Sequence, residues 1–193
     1  MSARRRFAPA LKAGALAMAA GRCAPLAAGE PALSHPADIC VERGVDAELG
    51  GHAVDLILEA AELAEPPGDI LPGLVAIFTD CVKQHGEPTS DGALVGGLVI
   101  SRAMRNEAAR RLEARGMDIA WLGQAVDTAK VQAAGDLTRT SEAVYDLMRR
   151  DPPAGPAIDV EDGTEASRLT GVLVHAYVSG ALQAEKWGRL MGS

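Results

Sequence analysis

From about residue 53 onward, apolar side chains return every three or four positions, the period of a helix with one buried face. Val54, Ile57, Leu58 and Ala61 make the first clear stripe, with His52, Asp55, Glu59 and Glu62 on the opposite side, and Pro66-Pro67-Gly68 ends it. Ahead of it, Ser34 and Pro36 are a capping residue and a first-turn proline for a short helix that runs to about Arg43, before Gly44. Asp69 caps the next segment, whose wide apolar face comprises Ile70, Leu71, Leu74, Val75, Ile77, Phe78, Cys81 and Val82, and Gly86 and Pro88 close it.

One of Thr89, Ser90 or Asp91 opens a long helix reaching about Arg115-Gly116. Its first half, Ala93–Ile100, is apolar all round and belongs at the centre. Its second half carries Arg102, Arg105, Arg110, Arg111 and Arg115 around a narrow stripe of Met104, Ala108 and Leu112, which predicts a more exposed, salt-bridged surface. Asp118 caps a seam of Ile119, Leu122, Val126, Ala129 and Ala133. Gly135-Asp136 either breaks that helix or is carried through to about Arg150. Residues 151–163 read as a loop. A last helix starts at Thr164, with Leu169, Leu173, Ala176, Gly180, Ala184, Trp187 and Met191 on one face, and with Gly171, Ser179, Gly180 and Ala181 small enough for close helix approach.

Composition agrees with this pattern. Hydrophobic residues are 48% of the chain and aromatics only 3%, so the core must rest on Leu, Val, Ile and Ala at helix contacts, and the aromatic–β-branched alternation of a sheet is missing. The expected fold is all-α: a single compact bundle of about four to six helices over residues 37–193, behind a linker at 30–36 and a separate segment at 1–29.

Charge sets that segment apart. Residues 1–29 hold Arg4, Arg5, Arg6, Lys12 and Arg22 and no acid, which leaves the remainder of a −7 chain at −12. An acidic body repels phosphate backbones, so no nucleic-acid partner is expected. The order of the segment is that of an export signal: a basic stretch, an apolar run over Ala13–Gly21, then Ala27 and Gly29 placed for cleavage before Glu30. Arg4-Arg5-Arg6-Phe7 resembles a twin-arginine signal, which implies a periplasmic or secreted protein; a cytoplasmic location is the alternative. No later run approaches the roughly 18–20 apolar residues of a membrane span, so an integral membrane protein is not expected.

Export changes the reading of the cysteines. Without Cys23, an even pair remains, and a Cys40–Cys81 disulfide would close a loop of about 40 residues, worth roughly 4 kcal/mol at most. The alternative is two buried thiols acting as small apolar residues. No CxxC or CxxCH is present, so neither thioredoxin-like chemistry nor c-type haem attachment has its motif.

The remaining constellations are weak. His52, Asp55 and Glu59 have ligand-like spacing but lie on the polar side of their helix, no pair of Glu-x-x-His motifs supports a di-metal bundle, and no Gly-rich turn cradles a phosphate, so no metal or cofactor is expected. Asp80 and His85 flank Cys81, but five residues apart they do not share a helical face, and His85 at the helix end meets the terminal carbonyls. Arg168 and His175 stand seven apart on the last helix; this pair resembles the Arg–His motif of HEPN ribonucleases, which implies RNA cleavage with those two residues as catalytic groups. Read as structure, His175 is a partly buried histidine hydrogen-bonded within the bundle. The leading expectation is an exported, non-catalytic helical protein acting through a protein partner or self-association. The alternatives are an accessory small subunit of a periplasmic redox enzyme and the HEPN-like ribonuclease.

Overall fold

The computed structural model describes residues 32–63, 69–86, 92–133, 136–152 and 163–191. The expected export signal at 1–29, the capping position at 89–91 and most of the loop at 151–163 lie outside the described residues. Every regular element within them is an α-helix: α1 (Pro36–Glu48), α2 (Gly50–Leu63), α3 (Leu71–His85), α4 (Gly92–Glu113), α5 (Ile119–Gln132), α6 (Leu137–Arg150) and α7 (Glu165–Met191).

The chain is an all-α bundle built around the antiparallel pair α4 and α7, which share the largest interface. Small residues bring the two together. A Cβ on Gly97 would lie 3.0 Å from Gln183, and the hydroxyls of Ser101 and Ser179 share a hydrogen bond at 3.1 Å. At one end, Val41, Val45, Ile77, Cys81, Leu94, Val95 and Trp187 form a core cluster from α1, α3, α4 and α7. At the other, Leu58, Leu112, Leu122, Val144, Leu169 and Leu173 join α2, α4, α5, α6 and α7. Ile100 packs against both clusters and links them.

Local chemistry sets most boundaries. Asp118 accepts a hydrogen bond from the Trp121 amide and starts α5; Asp136 accepts one from the Arg139 amide and starts α6. The second cap decides that the segment between Asp118 and Arg150 is two helices, which carries the number among the described residues to seven. Gly86, at φ 85°, ends α3 in a conformation that disfavours a side chain.

Three expectations are corrected. The cap of α1 is His35, whose Nδ1 accepts from the Ala37 amide at 3.3 Å, and not Ser34. α1 does not stop before Gly44. It runs to Glu48 because Gly44 is a contact point, where a Cβ would come 2.7 Å from Ile77 Cγ2 of α3. The second half of α4 is not its exposed half: Arg102 and Arg105 are only 5% and 4% exposed, and Ala103, Met104, Ala108, Ala109 and Leu112 are buried with them. α1, α2 and α7 cover it from three sides.

Candidate interaction surfaces

α1 and α3 pack antiparallel by reciprocal insertion. Ile77 sits over Gly44, and Leu49 sits over Gly73, where an added Cβ would meet Leu49 Cδ2 at 2.8 Å. One turn further along the same seam, Cys40 and Cys81 are brought to bonding distance, with sulfurs 2.08 Å apart and Cα atoms 5.7 Å apart. The two glycines permit the close helix approach that a disulfide requires.

The same geometry limits how much of α3 the core can cover. Of its apolar residues only Ile77 and Cys81 are buried, while Leu74, Phe78 and Val82 are half-buried. Leu71 and Val75 remain 57% and 53% exposed. They are four residues apart, hence neighbours on one helix face, and no charged residue lies between Leu71 and Thr79. The wide apolar face expected from the sequence is therefore partly a surface.

A second surface lies where α4 begins and α7 ends. A groove of about 510 Å³ is lined by Ala93, Leu94, Gln183, Lys186, Arg189 and Leu190. Leu94 is buried at its floor, and Leu190 is 58% exposed at its edge. A smaller cleft of about 250 Å³ runs along α1 and α4, with Glu42, Asp46, Arg102, Arg105 and Asn106 among its walls. Several of its polar groups are engaged. Arg102 donates to Glu42 at 2.6 Å, Asn106 donates to Asp46 at 3.2 Å, and the Arg105 guanidinium lies 5.2 Å from the ring centre of Tyr177.

The other arginines of α4 are also struts. Arg111 bonds Asp55 of α2 and Glu107, Arg110 bonds Glu107, and Arg115 reaches Glu165 of α7 at 2.7 Å. The hydrogen bond from Arg110, opposed by burial and reinforced by Arg111, holds the Glu107 carboxyl below the usual carboxylate range. Burial alone pushes the Tyr145 hydroxyl up.

Of the residues singled out for chemistry, the structure joins Cys40 and Cys81. His52, Asp55 and Glu59 are exposed on α2, with Asp55 held by Arg111. Asp80 pairs with Lys83, and His85 is exposed at the end of α3. Arg168 is half-buried on α7, whereas His175 is exposed, which corrects the partly buried histidine expected there. Neither residue lines either cleft.

The groove was not read from the sequence, although a signal for it existed. Leu190 is an apolar residue off the buried stripe of the last helix, set beside Arg189 and one turn from Lys186. No protein-family model, curated protein or solved structure matches the chain.

Proposed function

We propose that this is an exported, non-catalytic helical protein that works by binding another protein. The observation that carries the reading is the division of labour on α3. One face is fastened to α1 at Cys40 and Cys81, and the other leaves Leu71 and Val75 more than half exposed. Paired cysteines at bonding distance suit an oxidising compartment. Two large apolar side chains on a fixed helix suit a docking face, because little conformational entropy is lost when a partner covers them. Among the described residues no helix is long and apolar enough to cross a membrane.

The test is site-specific crosslinking in the native cell. A photoreactive residue in place of Val75 should give one discrete adduct, and the same residue in place of Arg139, on the polar side of α6, should give none. Substituting Val75→Asp should abolish co-purification of that partner while the far-ultraviolet dichroism and melting temperature stay unchanged. The same adduct from both positions, or co-purification indifferent to Val75→Asp, would rule out this face. An adduct with a flavin- or metal-bearing protein would make the chain an accessory redox subunit.

A further inference from the structure

We infer that the groove between the start of α4 and the end of α7 docks an acidic amphipathic segment of a partner protein. This rests on the reading of the chain as a partner-binding protein and adds a second surface with a defined chemistry.

The inference comes from charge set against composition. Outside its first 29 residues the chain carries −12, yet the described lining of this groove has two cations and no acid. Several other cations of the bundle are tied down: Lys83 to Asp80, Arg102 to Glu42, Arg111 to Asp55, Lys130 to Glu185 and Arg149 to Asp146. Lys186 and Arg189 are exposed, and neither forms an ion pair with a described acid. Glu185, adjacent to Lys186 in the chain, is turned away to Lys130 of α5 at 2.8 Å. Three residues apart on one helix, the two cations are surface neighbours roughly 5–6 Å apart at Cβ, the spacing of carboxylates at i and i+3 or i+4 on a facing helix.

The apolar part of the lining selects among anions. Leu94, Ala93 and Leu190 offer hydrocarbon beside the charges. A free phosphate leaves that surface wet, whereas an amphipathic helix covers it with its apolar stripe and sets its carboxylates against Lys186 and Arg189. A volume of about 510 Å³ falls within the range of roughly 300–1,000 Å³ typical of ligand clefts.

The probe is a fluorescent 14-residue helical peptide with Leu at i, i+3, i+4 and i+7 and Glu elsewhere, followed by anisotropy on the full folded chain. A Leu/Lys peptide of the same pattern is the control. The Leu/Glu peptide should bind and the Leu/Lys peptide should not. Affinity should fall about tenfold or more in Lys186→Glu/Arg189→Glu, fall less in the milder Lys186→Gln/Arg189→Gln, and drop with salt. Leu190→Ser should weaken binding without changing its salt dependence. Equal binding of the two peptides, no binding at millimolar peptide, or indifference to the double charge reversal would overturn the inference. So would tighter binding to phosphatidylglycerol vesicles, or a dimer lost in the same double variant, which would point to a membrane surface or to a second copy. Val75→Asp should leave peptide binding unchanged, so a failed groove and a failed α3 face are told apart.

Discussion

Gly44 of α1 lies beneath Ile77 of α3 so closely that a methyl group built on the glycine would stand 2.7 Å from Ile77 Cγ2. Ile77 is buried, and its Cγ2 branches directly from Cβ, so it is not the far end of a flexible side chain. In an open helix position Gly→Ala stabilises by about 1 kcal/mol. Here the forced shift should outweigh that gain, so Gly44→Ala should destabilise by about 1–3 kcal/mol. Gly188 of α7 has nothing within 4 Å of its Cβ position, and Gly188→Ala should stabilise by several tenths to about 1 kcal/mol. Urea denaturation of the two variants should therefore move the midpoint in opposite directions.

Loosening that seam should also loosen the cysteines. Reduction, or Cys40→Ala/Cys81→Ala, removes a link across a separation of 41 residues and should lower unfolding free energy by about 2–4 kcal/mol. Helical dichroism should survive, because the α4–α7 pair lies outside the closed loop. Melting curves with and without reductant check this, with the double variant indifferent to reductant.

The Arg102–Glu42 pair joins α4 to α1 with an Arg side chain 6% exposed, while Arg149–Asp146 is an exposed pair within α6. A double-mutant cycle with Arg102→Met and Glu42→Gln should give a coupling of about 1–3 kcal/mol. The same cycle on Arg149 and Asp146 should give about 0.5 kcal/mol or less. The single change Arg102→Met should cost more than Glu42→Gln, since it also empties a buried volume.

How much of this was legible follows from which interactions are local. Helix identity was, because Val54–Leu58 or Leu122–Val126–Ala129 report a 3.6-residue period within one segment. The cap at Asp118 was, because an aspartate directly ahead of an apolar run is a local signal, whereas Gly135-Asp136 left open whether the helix broke there. The burial of Arg102 and Arg105 was not: it depends on Glu42 and Tyr177, 60 and 72 positions away, and an arginine with a distant acceptor looks in sequence like one bound for solvent. Gly44 failed for the same reason, since a glycine that ends a helix and one that admits a neighbour are the same letter until Ile77 is placed. The exposed face of α3 was invisible because apolar spacing shows that a side chain seeks cover without showing that the fold supplies it. The cysteine pairing was reachable by counting, and it is the part of the candidate surfaces that the sequence named.

Glu107 makes a pH prediction with a definite sign. Its folded pKa is held down, chiefly by the hydrogen bond from Arg110, so its contribution is present above the ordinary carboxylate value of the unfolded chain and is lost as pH falls through the lower folded value. Glu107→Gln should reduce stability at pH 7 and converge with the parent chain in strong acid. Chemical denaturation of both at neutral and acidic pH checks the convergence; a gap that persists or widens in acid would assign the carboxylate no such role.

The most direct test of the account is the intact mass of the protein from its native cells, taken with and without alkylation under non-reducing conditions. Export with a closed cysteine pair predicts a chain beginning at Glu30 whose Cys40 and Cys81 take up no alkylating agent. A chain that retains Arg4–Arg6, with both thiols alkylated, would contradict it.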